Sequence, residues 1–248
     1  MDVMIQPDAR AASDLVAELI AGELRKNPHL VLGLATGRTM EQAYARLVQL
    51  HRTTGLNFSK CRTFNLDEYV GLPGDHPNSY RHYMNHHLFQ HVNIEIRNMH
   101  LPDGMAENLE AECTHYETLI TKCGGIDLQL LGIGMNGHLG FNEPLSAFDS
   151  RTRVIVLSPA TREQNSALFK APAQMPKRAI TMGVGTILDC KRCVLLATGA
   201  DKAAMVAKAI EGPVTDVIPA TALQRHRACT IVLDEPAATR LAPSNPAG

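Results

Sequence analysis

Short runs rich in Val, Ile and Leu recur along this chain at 30–35, 61–66, 126–133, 153–157, 193–197 and 228–233, with amphipathic stretches at 8–26, 40–52, 79–89, 106–122, 161–170 and 202–211. Continuous apolar runs of this length read as strands buried on both faces, and the stretches between them carry apolar residues at helical spacing. Strand and helix therefore alternate from end to end. That order predicts a doubly wound α/β fold, a mainly parallel sheet with helices on both faces, Rossmann-like in architecture. No internal repeat, low-complexity tract or Pro/Gly/Ser linker divides the 248 residues, so one domain over 1–248 is expected, with a loose tail at about 242–248.

Composition narrows the function. A hydrophobic content of 45% suffices for a sizeable core, and a formal charge of -1 leaves no global field to attract nucleic acid or an anionic membrane. Any anion site must be local. The N-terminal Met1-Asp2-Val3-Met4-Ile5-Gln6-Pro7 lacks signal-peptide character, and no apolar run approaches the ~18 residues of a membrane span, so a cytoplasmic location is expected. The six cysteines read as buried thiols.

In open α/β sheets ligands bind beyond the carboxyl ends of the strands, which directs attention to three junctions. The first is Leu34-Ala35-Thr36-Gly37-Arg38-Thr39, a strand running into a helix near Met40. Helix-start N–H groups, two hydroxyls and a glycine suit a phosphate, with Arg38 as a charge-assisted partner; an ordinary βα turn capped by Thr39 is the alternative. At the second, Asp67 and Glu68 place adjacent carboxylates at a strand's end. Neighbouring negative charges in a partly desolvated cleft raise at least one pKa, which makes Asp67 a candidate general base unless the pair is merely solvated or caps the next element. The third is Gly132-Ile133-Gly134-Met135-Asn136-Gly137-His138-Leu139-Gly140-Phe141-Asn142-Glu143-Pro144. Its GxGxxG is not read as a dinucleotide site, because Pro144 opposes a long following helix and no acidic residue follows near Leu157. The glycines instead permit a sharp loop that presents His138, with Glu143 placed to pair with the ring and support its charged form.

Thr36-Gly37-x-Thr39, Leu66-Asp67-Glu68-Tyr69-Val70-Gly71-Leu72 and the Gly132 to Pro144 segment, in this order and spacing, resemble the glucosamine-6-phosphate deaminase family. The likeness runs from about residue 5 to about 240 and takes in His76-Pro77-x-Ser79-Tyr80, Ser150-Arg151-Thr152, Gly183 to Asp189 and Asp234-Glu235-Pro236. The related 6-phosphogluconolactonases carry an Arg after the acidic pair and an Asp-Gly-His-Thr stretch, whereas this chain has Tyr69 and Asn136-Gly137-His138-Leu139. The resemblance implies an enzyme of hydrolase/isomerase type in amino-sugar catabolism and N-acetylglucosamine metabolism, turning glucosamine 6-phosphate into fructose 6-phosphate and ammonia. It assigns ring opening to His138, helped by Glu143 with Asn136 in the relay, and transfer of a proton from C2 to C1 to Asp67. It assigns Thr36, Gly37, Thr39 and Lys202 to the phosphate, and Gly134 joins the substrate-binding set. Neither a metal nor an organic cofactor is implied.

Two departures stand out against that family. Asn136 replaces the Asp of enteric members, leaving one negative charge fewer near His138. The family's phosphate-binding Asn-Ser/Ala-Arg motif reads Asn165-Ser166-Ala167 here, and Arg38, where a small residue is expected, is the candidate replacement guanidinium. Galactosamine 6-phosphate as substrate, or a silent sugar-phosphate sensor, are the alternatives; a homo-oligomer stays open, and activation by an N-acetylated sugar phosphate is not expected. His82/His86 and His87/His91 share helix faces but lack a completing carboxylate, and Cys190-Lys191-Arg192-Cys193 lacks a second CxxC.

Overall fold

The computed structural model describes residues 1–166, 169 and 175–243. Its strands are β1 (Asp2–Gln6), β2 (Val31–Leu34), β3 (Arg62–Asn65), β4 (Asp67–Tyr69), β5 (Met99–His100), β6 (Leu128–Leu131), β7 (Arg153–Val156), β8 (Arg178–Thr181), β9 (Cys193–Ala197) and β10 (Cys229–Asp234). The helices are α1 (Ala9–Lys26), α2 (Arg38–Thr54), α3 (Tyr80–His87), α4 (Leu109–Lys122), α5 (Pro159–Ser166), α6 (Val184–Leu188), α7 (Ala203–Glu211) and α8 (Glu235–Ala238).

Helix α1 shows how local signals fix an element. The Asp8 carboxylate accepts from the N–H of Ala11 at 2.8 Å, satisfying one orphan donor of the first turn, and Arg25 and Lys26 complement the dipole at the other end. Between them Ala12, Val16, Ile20 and Leu24 recur every four residues and are buried. The small residues Ser13, Ala17 and Ala21 widen that stripe, and α1 packs against α2 and β10.

Seven strands form a wholly parallel sheet in the order β1-β10-β9-β6-β2-β3-β5. From β2 the chain steps outward through β3 to β5, then returns to the other side of β2 at β6 and continues through β9 to β10. Right-handed crossovers in opposite directions put their helices on opposite faces. The strand order therefore reverses between β2 and β6, the position at which such sheets open a crevice beyond their carboxyl ends.

Three strands form a second, antiparallel sheet, β4-β8-β7. This corrects the reading of 153–157 as a buried strand of the parallel sheet: β7 is half-buried, and Val156 is exposed. Its Val and Ile content suits a small sheet with one covered face as well as a buried one, and periodicity over four residues does not separate the two. Strands β1, β4, β5 and β8 have no counterpart among the apolar runs. The first lies exposed along the sheet edge, and β4 and β5 are only three and two residues long. The main core fills the space around the parallel sheet, while Tyr69, Leu72, Phe141, Leu157, Phe169, Met175 and Ala179 make a second cluster under the small sheet. Ala167 and residues 244–248 of the expected tail lie outside the described residues.

Candidate active site

At the carboxyl end of β2 the chain turns through Ala35, Thr36 and Gly37 into α2. Gly37 occupies the N-cap position at φ +115°, a region that side chains with a Cβ rarely enter, and no side chain caps the helix there. Helix α2 begins at Arg38, two residues before the predicted start. Thr39 is thus in the first turn and is not the cap, and no side chain takes up the first-turn N–H groups, of which that of Met40 bonds the Gly37 carbonyl at 2.9 Å. Tyr83 Oη donates to the Gly37 carbonyl at 2.8 Å and Tyr44 Oη to that of Ala35, so α2 and α3 hold the turn from both sides.

Asp67 opens β4 directly after β3 and is 5% exposed. Burial and, second, the neighbouring Glu68 push its carboxyl up to about 8. Glu68 serves the backbone instead. Its oxygens accept from the N–H groups of Tyr69, Tyr80 and Arg81 at 2.8–2.9 Å, tying the start of α3 to β4. Burial still raises the Glu68 carboxyl, with those three N–H groups opposing. The two carboxylates of the sequence motif thus separate into one bound by backbone and one facing a cavity.

The loop after β6 presents His138. Asn136 Oδ1 accepts from the backbone N–H of His138 at 3.2 Å and lies 2.6 Å from its Nδ1. Accepting the backbone N–H fixes which amide atom faces the ring, so Nδ1 carries the proton and Nε2 is the basic nitrogen. The ring lies against Gly134, where a Cβ would fall 2.1 Å from Cε1; only glycine fits. The expected His138–Glu143 pair is not formed. Glu143 Oε1 instead accepts from Ser158 Oγ at 2.9 Å and from Thr161 Oγ1, anchoring the start of α5. Nor is the imidazolium favoured: burial lowers the pKa of His138, outweighing the Glu143 charge, and Lys202 adds to the lowering. Asn142 is fully enclosed, donating to the carbonyls of Leu139 and Met182 and accepting from Arg153, which fixes the loop's exit.

Lys202 ends a 3-10 turn after β9. The Asp234 carboxylate accepts from the N–H of Gly199 and of Ala237, so the turn that carries Lys202 is bound to the start of α8. Burial lowers the Lys202 pKa, against the nearby Asp201.

These junctions share one cavity of about 570 Å³, lined by Thr36, Gly37, Arg38, Thr39, Asp67, Gly134, His138 and Lys202. Asn136 and Glu143 stand behind the lining, one on His138 and one on Thr161. Sequence reasoning missed Tyr83, Thr161, Asn165 and Glu41, which also line it. Tyr83 was findable as the residue one turn beyond Tyr80 on the same face of α3. Asn165, whose Nδ2 donates to Tyr69 Oη at 3.1 Å, lies in the Asn165-Ser166-Ala167 stretch already noted, where attention went to the missing Arg. Among the described residues, neither helical His pair is joined by a third ligand within reach; the one such group is Cys190, Cys193 and His226, at the other end of β9.

The sequence profile of the glucosamine-6-phosphate isomerases/6-phosphogluconolactonase family matches residues 7–232. The chain belongs to this family. Among its relatives is the glucosamine-6-phosphate deaminase of Rhodopirellula baltica, 48% identical over 241 residues, covering 97% of this chain and 96% of the relative. The Thermoanaerobacter sp. (strain X514) protein of the same name is 45% identical over 239 residues, 96% of this chain and 94% of its own. In three dimensions the chain is similar to a monomeric glucosamine-6-phosphate deaminase with a TM-score of 0.94 at 45% identity, covering 96% of this chain and 99% of the other. A 6-phosphogluconolactonase from Trypanosoma cruzi, 22% identical with a TM-score of 0.77 over 97% of both chains, shares the fold. The family's description pairs isomerases with a lactonase and the relatives are named deaminases, so the expected hydrolase class is not supported by these likenesses. Among the described residues no helix of this family member is long and apolar enough to cross a membrane.

Proposed function

We propose that this chain is a glucosamine-6-phosphate deaminase, a reading carried by a buried carboxyl, Asp67, that shares one cavity with a neutral histidine and a cationic βα turn. The names of the relatives at 44–48% identity support the same activity. In this reading the sugar's phosphate sits on the first turn of α2, at Thr36, Gly37, Arg38 and Thr39, with Lys202 opposite. Anchoring the phosphate makes the proton transfers at C1 and C2 effectively intramolecular. His138 Nε2 takes the proton of the C1 hydroxyl and returns it to the ring oxygen, opening the pyranose to the aldehyde. Asp67 then removes the C2 proton and delivers it to C1. The C1 oxygen takes up a proton that the C2 ammonium gives up, the double bond moves to C2 as an iminium, water adds, and ammonia leaves with a ketone at C2.

The substrate's own charge assists. An ammonium group at C2 lowers the pKa of a buried carboxyl beside it, so substrate converts Asp67 to its basic form. This reading assigns the chain to amino-sugar catabolism, N-acetylglucosamine metabolism included, in the cytoplasm and as one domain without a bound metal or cofactor. The test is release of ammonia and ketohexose 6-phosphate from glucosamine 6-phosphate and galactosamine 6-phosphate in parallel, with a chelator present. Chelator-resistant turnover of the gluco sugar is the expected result. Turnover of the galacto sugar alone would reassign the substrate, and loss of activity with the chelator would overturn the metal-free mechanism.

A further inference from the structure

At the end of the sheet opposite the candidate active site, Cys190 follows α6 and Cys193 opens β9, with their Sγ atoms 3.1 Å apart. Both are buried, at 6% and 0% exposure. His226, from the segment before β10, lies across them: its Nε2 is 2.8 Å from the Cys190 carbonyl oxygen and 3.6 Å from Cys190 Sγ. Its Nδ1 accepts from the N–H of Ala228 at 3.1 Å. An Nδ1 that accepts carries no proton, so Nε2 is the N–H and points at the carbonyl and sulfur of Cys190.

This geometry discriminates between two uses of a Cys-x-x-Cys and histidine cluster. Two thiolates on one tetrahedral zinc, each at about 2.3 Å, stand about 3.8 Å apart, and a ligating ring nitrogen must be free of its proton. Here the sulfurs are closer than that, and both ring nitrogens are committed to backbone. The distance instead approaches that of a disulfide, which needs each sulfur to move by only about 0.5 Å. Cys190 also lines a surface cavity of about 190 Å³ together with Arg151, Thr186 and Asp189, whereas Cys193 does not. The contact with Cys193, opposed by burial and helped by the nearby His226, lowers the Cys190 pKa, whereas Cys193 is raised by the same contact and by burial; the Cys190 sulfur also lies 3.3 Å from the Arg192 carbonyl oxygen.

We infer that Cys190 and Cys193 are a peroxide-oxidisable dithiol, Cys190 attacking and Cys193 resolving. The Cys190 thiolate attacks one oxygen of hydrogen peroxide and the O–O bond breaks. The other oxygen leaves as hydroxide, takes up the proton lost by Cys190 and becomes water. The Cys193 sulfur then attacks the Cys190 sulfenic acid, forming the S–S bond while the S–O bond breaks. The departing hydroxide carries off the Cys193 proton as a second water. Two thiols are oxidised and one peroxide is reduced to two waters. A dithiol reductant reverses the change by exchange.

Trypsin provides a direct readout, because it cuts after Lys191 and Arg192, between the two cysteines. The full chain is treated with hydrogen peroxide, its free thiols are alkylated under denaturing conditions, and it is digested. The expected result is that the peptide ending at Lys191 and the peptide beginning at Cys193 stay joined until dithiothreitol is added. His226→Phe, which removes the N–H beside Cys190, is expected to slow the linkage about tenfold. Cys229→Ser, on the strand beside Cys193, is expected to leave it unchanged. Recovery of both cysteines alkylated, a Cys193–Cys229 linkage, or stoichiometric zinc in the purified protein that blocks both thiols would overturn the inference. None of these readouts depends on deaminase turnover, so its outcome is separable from that of the proposed function.

Discussion

Asp67 is a carboxyl group held away from water beside a second carboxylate, and both its chemistry and its contribution to stability derive from that. Its pKa in the fold, about 8, lies far above the ordinary 3.8 of an aspartate. The native state therefore holds this proton more tightly than the unfolded chain does. The stability this provides is fully present below pH 3.8 and is lost as pH rises through 8. Asp67→Asn, which cannot ionise, is expected to escape that loss and to exceed the parent's unfolding free energy at pH 8 by on the order of 3–5 kcal/mol. Urea unfolding of both proteins at about pH 5 and about pH 8 checks this, and an equal pH dependence would show that the carboxyl is not perturbed. Arg38 is exposed at the rim of the cavity, on the first turn of α2. A charge-assisted hydrogen bond to phosphate contributes about 1.5–3 kcal/mol, so Arg38→Gly is expected to raise KM roughly 10- to 100-fold with kcat little changed. A KM that stays within a factor of two would remove Arg38 from the phosphate site. At this scale the sequence located Asp67 and His138 at strand ends, and the structure brings both to the lining of one cavity. The expected contact between Glu143 and His138 is not formed, because a five-residue spacing in a loop does not determine which hydroxyls a carboxylate meets once α5 has docked.

At the scale of elements, the site depends on how its turns are fastened. The α2 start is held by Tyr83 from α3, α3 is held by Glu68 from β4, and the Lys202 turn is held by Asp234 from the end of β10. Tyr83→Phe keeps the ring and deletes the bond to the Gly37 carbonyl. Loss of one such bond costs about 1 kcal/mol, so a roughly fivefold rise in KM for the phosphorylated sugar is expected, with an unchanged pH profile. A change confined to kcat would mean that Tyr83 acts on the reacting atoms and not on the phosphate turn. These fastenings are long-range and were not legible beforehand: a Tyr on an amphipathic helix announces a core contact as readily as a hydrogen bond to a distant carbonyl. The parallel strands, by contrast, were legible from apolar runs alone, since strands covered on both faces leave little room for polar residues. The small antiparallel sheet was not, because its strands are short and partly solvated.

For the whole molecule, topology brings the chemistry together. Residues from the ends of β2, β3, β6 and β9 meet because the strand order reverses between β2 and β6, which opens the sheet's carboxyl edge beneath them. The net charge of -1 gives no long-range attraction for an anionic sugar, so the proposed function leaves its recognition to Arg38, Lys202 and the helix start, which line one cavity. The proposed mechanism stands on Asp67 carrying the proton from C2 to C1. Glucosamine 6-phosphate deuterated at C2 probes that step, with the parent protein and Asp67→Asn compared for ammonia release and for label in the product. The parent is expected to show slower turnover of the deuterated sugar and to pass part of the deuterium to C1 of fructose 6-phosphate, while Asp67→Asn falls by about 10²- to 10⁴-fold in kcat. A variant that keeps most of the parent's rate would exclude Asp67 from the proton transfer.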